Sequence, residues 1–165
     1  MRSVRSEIGV SESTARLAKL ARRLKVASRF PASPLPSLWF LTDEERTPDP
    51  LSVALGLPPG TGVVLRHYQA ANRGALAHAL AAIAHERNLL LLIGADAALA
   101  REAGAHGVHF PRWSLRRRAS PRAQGVITAS AHSIAELNGA QVIGATAVFV
   151  GPVFATQSHE GISAL

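Results

Sequence analysis

A chain of 165 residues with 18 Lys and Arg against 11 Asp and Glu, 47% apolar side chains and no cysteine has the size of one domain with a packed core. The missing cysteine excludes disulfides and thiolate metal sites and points to a reducing compartment, the cytoplasm. Five Phe, two Trp and one Tyr are too few to suggest a surface that stacks nucleic-acid bases, which argues against a nucleic-acid partner.

The net charge of +7 is uneven. Residues 1–30 carry eight cations and two acids, while the remainder is nearly neutral apart from a second basic patch of Arg112, Arg116, Arg117, Arg118 and Arg122. The cationic balance therefore reports two local patches rather than a uniform surface. Charges recur as far as Arg29, so no signal-peptide core is expected. No apolar run, Leu89 to Ile93 included, approaches the roughly 20 residues that cross a bilayer, and no membrane partner is expected.

In chain order, Leu17, Leu20, Ala21, Leu24 and Ala27 recur at helical spacing, with Arg16, Lys19, Arg22, Arg23 and Lys25 between them. This predicts a basic amphipathic helix over Ser13 to Phe30, packed on the body as a surface helix, with nucleic-acid or anionic-membrane contact as alternatives. Pro31, Pro34 and Pro36 then break any helix, so residues 1–37 form one segment and 38–165 the main domain.

From Leu38 the chain alternates short β-type runs with longer helical ones. Strands are predicted at Leu38–Leu41, Gly62–Tyr68, Leu89–Ile93, Gly107–Phe110, Val126–Ala129 and Ala147–Val150. Helices are predicted at Ala75–Arg87, Ala97–Ala103 (stopped by Gly104) and Ser133–Gly139. Nearly all-apolar strands separated by helices imply a parallel sheet covered on both faces, hence an α/β fold, either doubly wound or a TIM barrel. The first strand runs into Glu44-Glu45-Arg46 rather than G-x-G-x-x-G, and no G-x-x-x-x-G-K-[ST] occurs, which disfavours both nucleotide-binding fingerprints. Seven histidines include no H-E-x-x-H pair; His78 and His85 are seven apart on the Ala-rich helix, where solvent exposure explains them, so no metal site is assigned.

Three strings stand in order at about 20-residue steps: Ala103-Gly-Ala-His-Gly-Val-His-Phe110, Ala129-Ser-Ala-His-Ser133 and Val148-Phe-Val-Gly-Pro-Val-Phe-Ala-Thr156. Together with Leu41-Thr42-Asp43 and Leu65-Arg66 they resemble the thiamine-phosphate synthase family, including its thiazole tautomerase relatives of the TenI type, over roughly residues 38–160. The resemblance implies a (β/α)8 barrel of which six βα units are legible before Leu165. A barrel left open there exposes strand edges, so a truncated product, a second copy of the chain or the first 30 residues folded over the edge are the ways to protect it.

The resemblance also implies two phosphorylated ligands, a hydroxymethylpyrimidine diphosphate and a thiazole phosphate, joined with release of pyrophosphate in thiamine biosynthesis. Carried over position by position, it makes Arg66 a diphosphate contact, with a rim ion pair to Asp43 or Glu44 as the alternative. Ser130 becomes a further substrate hydrogen bond, and Thr156, Ser158 and His159 face the thiazole phosphate. The family's magnesium carboxylates fall on Ala95 and Ser114, so no cofactor is assigned; Arg112 and Arg116 to Arg118 could supply positive charge instead. His132 is the residue of the tautomerase alternative, as the proton-transfer group, while His109 reads as a packed core histidine. A non-catalytic anion-binding or regulatory homologue is the third reading.

Overall fold

The computed structural model describes residues 12–27, 35–115 and 124–151. The chain divides into two compact units, Met1–Leu91 and Leu92–Leu165, with the boundary inside one strand.

The first unit begins with helix α1 (Glu12–Ala27). Its existence agrees with the sequence periodicity, but the stripe is not packed as expected. Leu17 and Leu20 are 55% and 48% exposed, and among the helix's described side chains the covered one is Ala18, which the spacing does not single out. Strand β1 (Trp39–Leu41) pairs in parallel with β2 (Gly62–Leu65), with Trp39 opposite Gly62 and Leu41 opposite Val64. A glycine is needed opposite the tryptophan: a Cβ on Gly62 would lie 2.2 Å from the Trp39 ring, whose Nε1–H donates to the Pro36 carbonyl at 2.9 Å.

Between these strands the chain forms a short helix that periodicity did not reveal, α2 (Pro50–Leu55). Its signals are local. Asp49 caps it by accepting from Ser52 N–H at 3.1 Å, and Pro50 occupies the first turn, where its missing N–H costs nothing. Helix α3 (Arg73–Arg87) packs against α2 and buries Ala77, Leu80 and Ala84. It ends at Asn88, whose left-handed backbone (φ 54°) closes the last turn through its N–H to the Ala84 carbonyl. His78 and His85 lie on its exposed side. Strand β3 starts here (Leu90–Gly94).

In the second unit the rest of β3 pairs in parallel with β4 (Gly107–Phe110), β4 with β5 (Val126–Ala131) and β5 with β6 (Ala147–Val150). Helix α4 (Ala97–Glu102) is capped by Asp96 on Leu99 N–H and packs on β4; α5 (Ile134–Val142) is capped by Ser133 on Glu136 N–H and packs on β5. Gly104, with φ of 70°, ends the α4 region as its position in the sequence predicted. β5 runs two residues beyond its predicted end, because Ser130 and Ala131 continue the ladder opposite Phe149 and Val150.

The sheet order is β1-β2-β3-β4-β5-β6, each strand beside its successor in sequence. β2 and β4 are buried at every position, as a parallel sheet shielded on both faces requires. Sequential parallel strands alternating with helices are the arrangement of a (β/α) barrel-type fold, not of a doubly wound sheet, whose strand order reverses. Among the described residues no helix is long and apolar enough to cross a membrane.

Candidate functional site

Arg66 follows β2 directly, and three contacts fix its place. Its backbone N–H donates to Thr42 Oγ1 at 2.9 Å, its Nε–H to the Thr42 carbonyl at 3.0 Å, and its Nη2 to Asp43 Oδ2 at 3.2 Å. The last is an ion pair through one edge of the fork, with the two side chains 36% and 30% exposed. A guanidinium carries five N–H donors, so these contacts leave donor capacity at Nη1 and at the second Nη2 proton. They also explain why β2 stops at Leu65 and does not reach Tyr68 as the sequence predicted, since the Arg66 N–H turns to a side chain instead of a ladder carbonyl.

Thr42 is fully buried, and its Oγ1 lies 2.8 Å from Nδ1 of His67, itself 4% exposed. Nε2 of His67 is buried with no hydrogen-bond partner among the described residues. Chain alternation therefore sends His67 inward, while Arg66 and Tyr68 line a cleft of about 380 Å³ with Thr42, Asp43, Glu44, Glu45 and Gln69. Burial raises the Tyr68 phenol's pKa, against the opposing pull of Arg66 and Arg73, so it remains a neutral hydroxyl near pH 7. The Arg73 guanidinium lies 5.7 Å from the centre of its ring.

The cleft's charge is not that of a simple anion site. One arginine faces three carboxylates, of which Asp43 Oδ1 accepts from the N–H groups of Glu45 and Arg46 and Glu44 Oε1 accepts from Gln69 N–H at 2.8 Å. Asp43 titrates below its ordinary value, first because of the Arg46 N–H, then the Glu45 N–H and the Arg66 and Arg46 charges, with desolvation opposing. A depressed carboxylate pKa contributes stability above the unfolded-state pKa, and that contribution is lost as pH falls through the folded-state value. Because a backbone N–H dominates, Arg66→Met is expected to leave most of the depression in place. A carbon-detected NMR titration of the Asp43 carboxyl checks this; a return to the ordinary value would make Arg66 the principal cause.

In the second unit, Ser130 and His132 stand at the carboxyl end of β5 and turn to different partners. Ser130 Oγ lies 3.0 Å from Nε2 of His109, whose Nδ1 lies 2.9 Å from Thr128 Oγ1. His132 Nδ1 contacts the Gly151 carbonyl, so this nitrogen carries the proton and the neutral ring has its basic lone pair on Nε2. The His132 backbone N–H donates to Glu136 Oε2 at 2.6 Å, linking the residue to the first turn of α5. Arg112 is exposed in a single 3₁₀ turn (Arg112–Ser114) right after β4. Thr156, Ser158, His159, Arg116 to Arg118 and Arg122 lie outside the described residues.

The two positions where the family resemblance calls for magnesium carboxylates do not fit the ion. Ala95 has no donor side chain, and Ser114 Oγ donates to the Pro111 carbonyl at 2.7 Å. The neighbouring acid, Asp96, is engaged as the cap of α4. Among the described residues no group of three or more His, Cys, Asp or Glu could hold a metal.

Comparison with known proteins bears on the family and the fold. The profile of the family described as "Thiamine monophosphate synthase" matches residues 41–165. A thiamine-phosphate synthase of Synechococcus sp. (strain WH7803) is 41% identical over 83 residues, which are 48% of this chain and 24% of that protein. The chain thus spans about a quarter of the curated relative it matches. A solved thiamine phosphate pyrophosphorylase from Pyrococcus furiosus superposes with a TM-score of 0.57 at 23% identity, covering 73% of this chain and 62% of that one, a likeness of fold.

Proposed function

Since the chain belongs to the thiamine monophosphate synthase family, we propose that it acts in thiamine biosynthesis as a synthase-type transferase that joins a hydroxymethylpyrimidine diphosphate to a thiazole phosphate. In that reaction the thiazole nitrogen forms a bond to the pyrimidine methylene carbon while the carbon–oxygen bond to the diphosphate breaks. The bonding pair leaves with pyrophosphate. The protein's part is to hold the departing anion with fixed cations and donors.

The observation that carries this reading is Arg66 itself, locked at the end of β2 by Thr42 and Asp43 with donor capacity left over at the cleft. In the first unit Arg66 is the diphosphate contact; in the second, Arg112 and Ser130 are phosphate contacts, and Thr156, Ser158 and His159 remain the expected contacts of a thiazole phosphate. No step is routed through magnesium, because the residues at its expected positions do not fit it. A second reading keeps His132 as the proton-transfer group of a TenI-like thiazole tautomerase, because its Nδ1 contact with the Gly151 carbonyl holds the ring in place at the carboxyl end of β5.

Mixing the purified protein with both substrates and magnesium, and following thiamine phosphate, tests the synthase reading; product supports it. Solvent proton exchange into a thiazole carboxylate phosphate without condensation moves the assignment to the tautomerase. Salt-sensitive pyrophosphate binding with neither activity makes the chain an anion-binding homologue.

A further inference from the structure

His109 is 1% exposed, yet both of its ring nitrogens meet hydroxyls on the neighbouring strand. Register explains the arrangement. His109 on β4 stands opposite Thr128 on β5, and Thr128 and Ser130, two residues apart, project from the same face and flank the imidazole. The Phe149 ring, opposite Ser130 on β6, meets the imidazole edge-on, with centroids 5.5 Å apart and planes at 68°. Three polar groups in a buried layer are a costly filling for a core unless they satisfy one another, and these do so in a line.

That line can run in only two directions. A neutral imidazole has one donor and one acceptor, and each hydroxyl has one proton. Either Ser130 donates to Nε2 and Nδ1–H donates to Thr128, or Thr128 donates to Nδ1 and Nε2–H donates to Ser130 Oγ. In the first state Ser130 presents lone pairs; in the second its proton is turned away from the ring. His109 and Thr128 are enclosed, whereas Ser130 is half-buried at the carboxyl end of its strand, so a ligand touches the line through Ser130.

We infer that His109 is a positioning residue that, backed by Thr128, sets the Ser130 hydroxyl as a donor to a phosphate oxygen of the ligand. An oxyanion at Ser130 selects the state in which Thr128 donates to Nδ1 and Nε2–H donates to Ser130, and each bond in the line strengthens the next. The inference rests on reading Ser130 as a ligand contact, and it does not require that the protein turn over.

Inorganic pyrophosphate is the probe, titrated calorimetrically into the full chain and into variants whose folding is checked by thermal unfolding. Ser130→Ala and His109→Leu are each expected to weaken binding about tenfold. His109→Gln places an amide near the former Nε2 and recovers most of the loss, whereas His109→Asn reaches only the Thr128 side and does not. Nitrogen-15 spectra of the unsubstituted protein give a readout free of substitution: with pyrophosphate bound, His109 shows a protonated Nε2 and an unprotonated Nδ1. Losses that follow thermal stability alone, an unprotonated Nε2 in the complex, or no pyrophosphate binding by the parent chain each overturn the inference. Failure to form thiamine phosphate with the Nε2–H signature present sinks the synthase reading and leaves this one standing.

Discussion

Gly107→Ala is expected to lower the thermal midpoint by roughly 6–12 °C, from a destabilisation of about 3 kcal/mol and a shift of roughly 2–4 °C per kcal/mol in a chain of this length. A Cβ at Gly107 would lie 1.9 Å from the Val126 carbonyl oxygen and 2.7 Å from that residue's nitrogen and carbonyl carbon. All three are backbone atoms of the adjoining strand, so no rotamer change relieves the overlap. The strands can part only by giving up ladder bonds, and the Val126 N–H, which donates to the His106 carbonyl at 3.0 Å, is the first at risk. Gly125 shares the constraint, with φ of 80° and a would-be Cβ 2.2 Å from the His106 oxygen. Calorimetry of the variant checks the effect. An unchanged midpoint would mean that β4 and β5 approach less closely at this end, and would also undercut the register that sets His109 between Thr128 and Ser130.

This close approach marks the limit of what could be read from the chain. The β4 run Gly107–Phe110 is legible because a strand buried at every position is a largely apolar stretch between turn residues, and the β6 run Ala147–Val150 shows the same apolar pattern although it is only half-buried and Val150 is exposed. Gly104 is legible as a helix terminator, since a left-handed residue after a helix is a local matter. Gly107 is different: what it avoids lies 19 residues away, and nothing near it in sequence reveals that neighbour. α2 was missed although its signal, Asp49 before Pro50, is present, because six residues give too few apolar positions for periodicity to register. The spacing on α1 reads as helical, and the helix forms, yet spacing does not say which side is covered: Ala18 is buried while Leu17 and Leu20 are exposed.

The candidate site divides in the same way. Arg66 and Asp43 stand 23 positions apart; the sequence offers a rim ion pair to Asp43 or Glu44 only as the alternative to a diphosphate contact, and the structure forms the pair with Asp43 because both residues follow strands that lie side by side. The clamp of Thr42 on Arg66 and the inward turn of His67 were not legible, since they depend on which residue first leaves the β2 ladder. His109 reads as a core residue in sequence, and its burial agrees. Its two hydroxyl partners emerge only once the strands are in register.

Asp43→Asn is expected to tighten pyrophosphate binding on the order of tenfold, and Arg66→Met to weaken it on the order of 100-fold, since the variants remove a competing anion and the cation it competes for. In the free protein the Arg66 fork spends one Nη2 proton on Asp43, and Glu44 and Glu45 add negative charge to the same cleft. A diphosphate must outbid the carboxylate for that edge or bind at the remaining donors against its repulsion. Asparagine keeps an oxygen that can accept from the Glu45 and Arg46 N–H groups, as Oδ1 does now, so the turn survives while the charge goes. Methionine preserves much of the arginine stem's bulk but deletes the fork. Different salt responses distinguish this electrostatic account from a packing effect: parent affinity falls more steeply with ionic strength than that of Arg66→Met, which has one cation fewer. Equal affinity in parent and Asp43→Asn would show that the ion pair stays intact in the complex, and equal affinity in parent and Arg66→Met would place the diphosphate elsewhere. The second result would leave the synthase reading without the observation that carries it.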